Sequence, residues 1–241
     1  MAEWFAELKS QFVLNFVNEG RWKYLVNGLG ITLQVTLLAV VLGIVIGVVI
    51  AIVRSTYDKN YENMRGPGRV LLAIGDKICK VYLTVIRGTP VVVQLMIIYY
   101  VILASSNNKV MVAVIAFGIN SGAYVAEIIR SGIMSIDQGQ FEAGRSLGFN
   151  FVQTMRYIII PQAFKNVLPA LANEFIVLLK ETSVSGYIAL QDLTKGGDII
   201  RSRTYSAFMP LIAVAVVYLV MVMIFTKLVG VLERRLRNSD H

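Results

Sequence analysis

Few side chains in this 241-residue chain are able to do chemistry, and they interrupt runs that are otherwise apolar. Glu174 falls inside Ile158 to Leu179, a run also broken by Pro161, Lys165 and Pro169, where an ionised carboxylate could hold a cationic group or bridge helices. Asn120, Tyr124 and Glu127 recur at i, i+4 and i+7, so they share one face of a helix. Lys180, with Glu181, Thr182 and Ser183, could bind a carboxylate or form a gate, and Thr89 and Gln94 add neutral hydrogen-bonding groups. Each has a structural reading beside the functional one. Glu174 could pair with Lys180 or Lys165, Glu127 and Arg130 could form a salt bridge, and Asn120, Ser121 and Gly122 could serve close helix packing. Arg87 reads as an interface anchor or as a partner of Asp76 or Glu142.

A second group lies in Phe141 to Phe164, FEAGRSLGFNFVQTMRYIIIPQAF. Asp137 followed by Gln140 resembles a capping box, and Gly148 suits a left-handed helix end, so Gln138 to Leu147 is expected to be a short helix. It presents Glu142 and Arg145 to solvent, while Phe141, Leu147, Phe149 and Phe151 need a covering surface. Two readings stand: a solvated connector, or a docking helix for a soluble partner.

Other chemistry is excluded. One cysteine, Cys79, and one histidine, His241, allow neither a disulfide framework nor a Cys/His metal cluster within the chain. TKGGD, Thr194 to Asp198, lacks the Lys-Ser/Thr pair of a phosphate loop, and neither GxSxG nor HExxH occurs, so the chain is not read as an enzyme.

The elements that must position these groups are membrane helices. The chain is 56% hydrophobic with a mean hydropathy of +0.65, and its apolar residues are bunched. Leu25 to Val53 and Ala207 to Thr226 carry no charge and are long enough to cross a hydrocarbon core of roughly 30 Å. Val91 to Asn108 and Val110 to Ala126 read as a helical hairpin around Lys109, and Ile158 to Leu179 gives a fifth span if protein covers its polar groups. With the N-terminus outside, the inner segments hold 14 lysines and arginines and the outer ones 7, which places the C-terminus inside. That bias accounts for most of the formal charge of +8, so nucleic acid is not an expected partner. Residues 1–24, beginning MAEWFAELKSQFVLNF, read as an interfacial amphipathic segment rather than a signal peptide. Val70 to Ile86 reads as a helix at the cytoplasmic interface, and RGTP, Arg87 to Pro90, as a bend before the second span. With no linker or internal repeat, the expectation is one domain over 25–230, a loop of special interest over about 136–160, and a cytoplasmic tail over 231–241.

The loop motif, Glu142-Ala143-Gly144, three residues, Gly148, nine residues, then Ile158, Ile159, Ile160 and Pro161, resembles the EAA loop of permeases of binding-protein-dependent ABC importers. Gly144 stands in place of the second alanine and Ile160 in place of leucine. RGTPVVVQL (Arg87 to Leu95), NSGAYVAEIIRSGIMSI (Asn120 to Ile136) and NEFIVLLKETSV (Asn173 to Val184) are similar to the polar amino acid permeases, and the resemblance runs from about Leu25 to Arg235. It implies an all-α, five-helix permease of the type I importer fold in the bacterial cytoplasmic membrane, carrying polar amino acids. It further implies a second permease subunit, identical or homologous, an extracytoplasmic amino-acid-binding protein, surrounding lipid, and two ATPase subunits that bind ATP and magnesium and dock on a coupling helix. Glu142, Ala143, Gly144, Arg145, Gly148 and Pro161 are then the coupling residues, with Ala143 and Gly144 permitting close approach. Glu174, Asn120, Tyr124, Glu127, Lys180, Thr182, Ser183, Thr89 and Gln94 line the pathway. The rival reading from the residues alone is an ion-coupled secondary transporter or channel.

Overall fold

The computed structural model describes residues 1–238, so the last part of the expected tail, with His241, lies outside the described residues. All regular structure among the described residues is helical. The order is α1 Ala2–Phe12, α2 Trp22–Asn60, α3 Pro67–Arg87, α4 Val91–Ile97, α5 Lys109–Met134, α6 Gln138–Ser146, α7 Phe151–Thr154, α8 Ile160–Glu181, α9 Leu193–Thr204 and α10 Phe208–Asn238. One-turn π-helices follow α1, α4 and α7, at Val13–Val17, Ile98–Ile102 and Met155–Ile159.

By length and apolar composition three stretches suffice to cross a membrane, Trp22–Asn63, Lys109–Met134 and Phe208–Leu236. Pro67–Arg87 and Val91–Ile102, bent by 107° across RGTP, make a fourth if counted together. The break follows from Pro90, which disfavours helix at Thr89, and Gly88, which ends α3. The expected second span, Val91 to Asn108, stops being helical at Ile102. Its polar end, Ser105 to Asn108, does not continue the helix, and twelve helical residues reach only about 18 Å. The fifth expected span is present as α8, but Gln162, Lys165, Asn166, Asn173 and Glu174 dilute its apolar run, and it falls short of the same test. Such a helix crosses lipid only where protein shields those groups.

The chain divides into two compact units, and α2, α5, α8 and α10 each contribute to both. The first comprises Met1–Leu38, Val91–Phe117 and Ile176–Leu228. Its core gathers Leu25, Leu29 and Leu33 of α2, Leu179 of α8, Leu193 of α9, and Val214, Val217, Met221 and Phe225 of α10. Buried Asn15 accepts from the Thr204 hydroxyl at 2.8 Å and ties the turn after α1 to the end of α9. Helix α1 exposes Trp4, Phe5, Leu8 and Phe12.

The second unit comprises Ala39–Pro90, Gly118–Phe175 and the chain from Val229. One cluster joins α2, α3 and α5 through Ile50, Leu83, Ala123 and Ala126, and another joins α5, α6 and α8 through Ile133, Ile136, Phe141, Ile159 and Ala163.

Candidate functional site

The loop that carries the EAA-like motif is built around one anchored helix. Asp137 caps α6, its Oδ1 accepting from the Gly139 N–H at 2.7 Å. The reciprocal half of the expected capping box is absent, because Gln140 Oε1 accepts instead from Gln162 Nε2 at 3.3 Å. A full box forms one turn further on, where Asn150 and Gln153 exchange hydrogen bonds of 2.9 Å at the start of α7. Gly148, at φ +82°, ends the α6 turn in the left-handed region that glycine adopts without strain.

Phe141 anchors α6, 4% exposed in the second core cluster. Gly144 is also buried, and a Cβ there would fall 2.7 Å from both Cγ2 and Oγ1 of Thr154. Gly144 therefore lets α6 close on α7 within the chain. Glu142, Ala143 and Arg145 are exposed, as is Pro161 in the first turn of α8. Leu147, Val152 and Tyr157 stand 71%, 70% and 62% exposed on the same loop.

The pathway candidates fall in both units. In the second, Glu174 is buried and its Oε1 accepts from Ser121 Oγ of α5 at 2.9 Å, with Asn120 buried beside Ser121. The Arg87 guanidinium lies 5.6 Å from the Tyr124 ring, so it pairs with neither Asp76 nor Glu142 as expected. Asp76 is held instead by Arg54 and Lys80. Glu127 bonds Arg54 at 3.0 Å and approaches Arg130 at 3.8 Å, so the three residues expected on one α5 face have different partners. The Thr89 hydroxyl donates to Val85 O. In the first unit Gln94 is buried, Lys180 is exposed, and the buried Thr182 hydroxyl donates to Leu179 O. Ser183 lines a cavity of about 400 Å³ with Tyr187, Thr194, Lys195 and Asp198.

Two features had no counterpart in the sequence reading. Arg54 of α2, 12% exposed, bridges buried Asp76 of α3 at 3.4 Å and Glu127 of α5. Lys80 holds Asp76 at 2.8 Å, and Arg130 holds Asp58 at 2.8 Å. The only sequence signals are i, i+3 and i, i+4 pairs within single helices. The other feature is Asp192, which caps α9 by accepting from the Thr194 and Lys195 N–H groups. Burial pushes its carboxyl up to about 6 against those hydrogen bonds. Nearby Asp198 is held below the usual carboxylate range by hydrogen bonds from Lys195 and Arg201.

Residues 66–238 match the family described as the inner membrane component of binding-protein-dependent transport systems. The chain belongs to this family. It is 40% identical over 162 residues to the arginine transport system permease protein ArtQ of Bacillus subtilis, 66% of this chain and 74% of that protein. It is 38% identical over 168 residues to the glutamine transport system permease protein GlnP of Escherichia coli K12, 68% of this chain and 77% of the relative. A crystal structure of an amino acid ABC transporter with histidines superposes with a TM-score of 0.79 at 43% identity, covering 91% of this chain and 98% of the other. The inward-facing MetNI methionine ABC transporter, at 18% identity and a TM-score of 0.76 over 91% of this chain and 99% of that one, shares the fold alone. The all-helical architecture is the type I ABC importer permease fold. This inner membrane component is thus a multi-pass protein of a multi-component transport system.

Proposed function

We propose that this chain is the transmembrane permease subunit of an ABC transporter that imports polar amino acids across the bacterial cytoplasmic membrane. Five helices cross, N-terminus out and C-terminus in, and ATP with magnesium is bound by separate ATPase subunits. The permease itself catalyses nothing and carries no cofactor. A second permease subunit completes the pathway, and an extracytoplasmic binding protein delivers the substrate.

The observation that carries this reading is the construction of α6. Phe141 and Gly144 fix one face to the chain, while Glu142 and Ala143 point away beside the uncovered Leu147 and Val152. A short helix rigidly joined to a membrane bundle, with a charged and apolar outer surface, is suited to pass a rigid-body movement from a docked ATPase to the spans. Glu174, with Ser121 and Asn120, is the preferred polar partner for the substrate ammonium, since neither charge of an amino acid enters hydrocarbon without fixed partners.

The test is gentle purification of the tagged chain from its native membrane, with ATP hydrolysis assayed in the eluate for wild type and Glu142→Lys. Co-purifying ATPase activity that the substitution removes or uncouples supports docking at α6. Uptake that follows an ion gradient and ignores Glu142→Lys refutes it and favours an ion-coupled carrier.

A further inference from the structure

The inner side of α6 closes a small cavity, of about 80 Å³, with the end of α2 and with α7. Its polar lining is Lys59, Asn60, Asn63, Gln138, Arg145 and Thr154, two cations and four neutral groups with no carboxylate among them. Lys59 Nζ donates to Gln138 Oε1 at 3.1 Å and sits 4.6 Å over the Phe141 ring, which fixes the ammonium while using one of its three donors. With its carbonyl engaged, Gln138 has its amide N–H groups left to donate. The Arg145 side chain has no ion pair or hydrogen bond among the described residues. Thr154, 2% exposed, has a hydroxyl without a partner. Two cations thus line one small cavity from α2 and α6, and an anion between them meets no opposing carboxylate in the lining.

We propose that this cavity binds a phosphate group, held by Lys59 and Arg145 and supplied by free phosphate or by the head group of an anionic lipid. Donors arriving from α2 and α6, one of them a planar guanidinium fork, suit a tetrahedral oxyanion. The volume admits one such group and excludes a whole nucleotide. Gln138, Phe141 and Arg145 occupy one face of α6 at i, i+3 and i+7, so an occupant clamps that helix to the end of α2. The inference stands apart from ATPase docking, because binding is measured on this chain alone.

The experiment places the purified chain in nanodiscs of zwitterionic lipid and titrates inorganic phosphate at constant ionic strength by calorimetry and phosphorus NMR. Saturable millimolar binding is expected, weakened about tenfold in Lys59→Gln and in Arg145→Gln, with Arg145→Lys between them and wild type. A second set of nanodiscs contains phosphatidylglycerol. Unchanged phosphate binding there identifies free phosphate as the occupant, and its loss identifies the lipid head group. Two results overturn the proposal. One is no saturable phosphate binding in zwitterionic discs together with no Lys59-dependent retention of anionic lipid. The other is undiminished binding in Arg145→Gln, which decides the matter alone should Lys59→Gln fail to fold, since Arg145 is exposed and its loss leaves the core intact.

Discussion

Gly144→Ala tests whether the inner face of α6 is as tightly closed as the geometry requires. The added Cβ falls 2.7 Å from Cγ2 and Oγ1 of Thr154 and 3.2 Å from Cδ1 of Ile158, where carbon contacts prefer 3.5 Å or more. Thr154 is β-branched, stiff at χ1 and buried, so relief requires a shift of α6 away from α7. Overpacking of this kind costs about 1–3 kcal/mol. Against it stands a gain of about 1 kcal/mol for alanine over glycine within a helix, leaving a net loss of about 0–2 kcal/mol. Thr154→Ala removes both clashing atoms. Taken alone it sacrifices one buried methyl, about 1 kcal/mol, and no hydrogen bond, since its hydroxyl has no partner. In the double variant the alanine keeps its helical advantage without the clash, so a favourable coupling of about 1–3 kcal/mol, the relieved overpacking, is expected. Thermal unfolding in mild detergent, compared across wild type, both single variants and the double, measures it. If Gly144→Ala matches wild type while Thr154→Ala costs more than about 2 kcal/mol, the close approach does not control this helix.

Three further outcomes are expected. Asp76→Ala leaves Arg54 short of one partner in a site where both groups are mostly buried, and a loss on the order of 3 kcal/mol should appear as a lowered unfolding midpoint. Arg54→Met should cost less, because Lys80 still holds Asp76 and Arg130 still reaches Glu127; equal losses would show that the network does not share its charges this way. Asp192 holds its proton more tightly folded than unfolded, so its contribution to stability is fully present below about 4 and is lost as pH rises to about 6. Asp192→Asn keeps a capping acceptor without the titration, and the difference in midpoint between it and wild type, followed from pH 4 to 7, should favour the variant progressively; a flat difference argues against the raised value.

The spans were legible because crossing hydrocarbon asks for little beyond an uncharged run of sufficient length, as in α2 and α10. The bend at RGTP was legible because proline and glycine act on their own backbone, whatever surrounds them. The charge network was not. Arg54 meets Asp76 across 22 residues and Glu127 across 73, and no local pattern tells a topogenic arginine at the end of a span from one that closes an ion pair. The short second span was missed for a related reason: hydropathy measures how apolar Val91 to Asn108 is, but not where its helix stops.

Gly144 shows what helical phase adds to a motif. Its place in the EAA-like pattern grouped it with Glu142, Ala143 and Arg145 as a coupling residue that permits close approach. Yet Phe141 had already been read as needing cover, and at about 100° per residue Gly144 returns to within about 60° of Phe141 while Ala143 lies nearly opposite. Arg145, about 40° from Phe141 on the other flank, follows the same phase to the rim of the cavity it lines. A partner that docks on α6 therefore meets Glu142 and Ala143, and it meets Gly144 only through the spacing that glycine sets between α6 and α7. Substitutions at 142 and 143 should change coupling with little change in the unfolding midpoint, and substitutions at 144 should move the midpoint first.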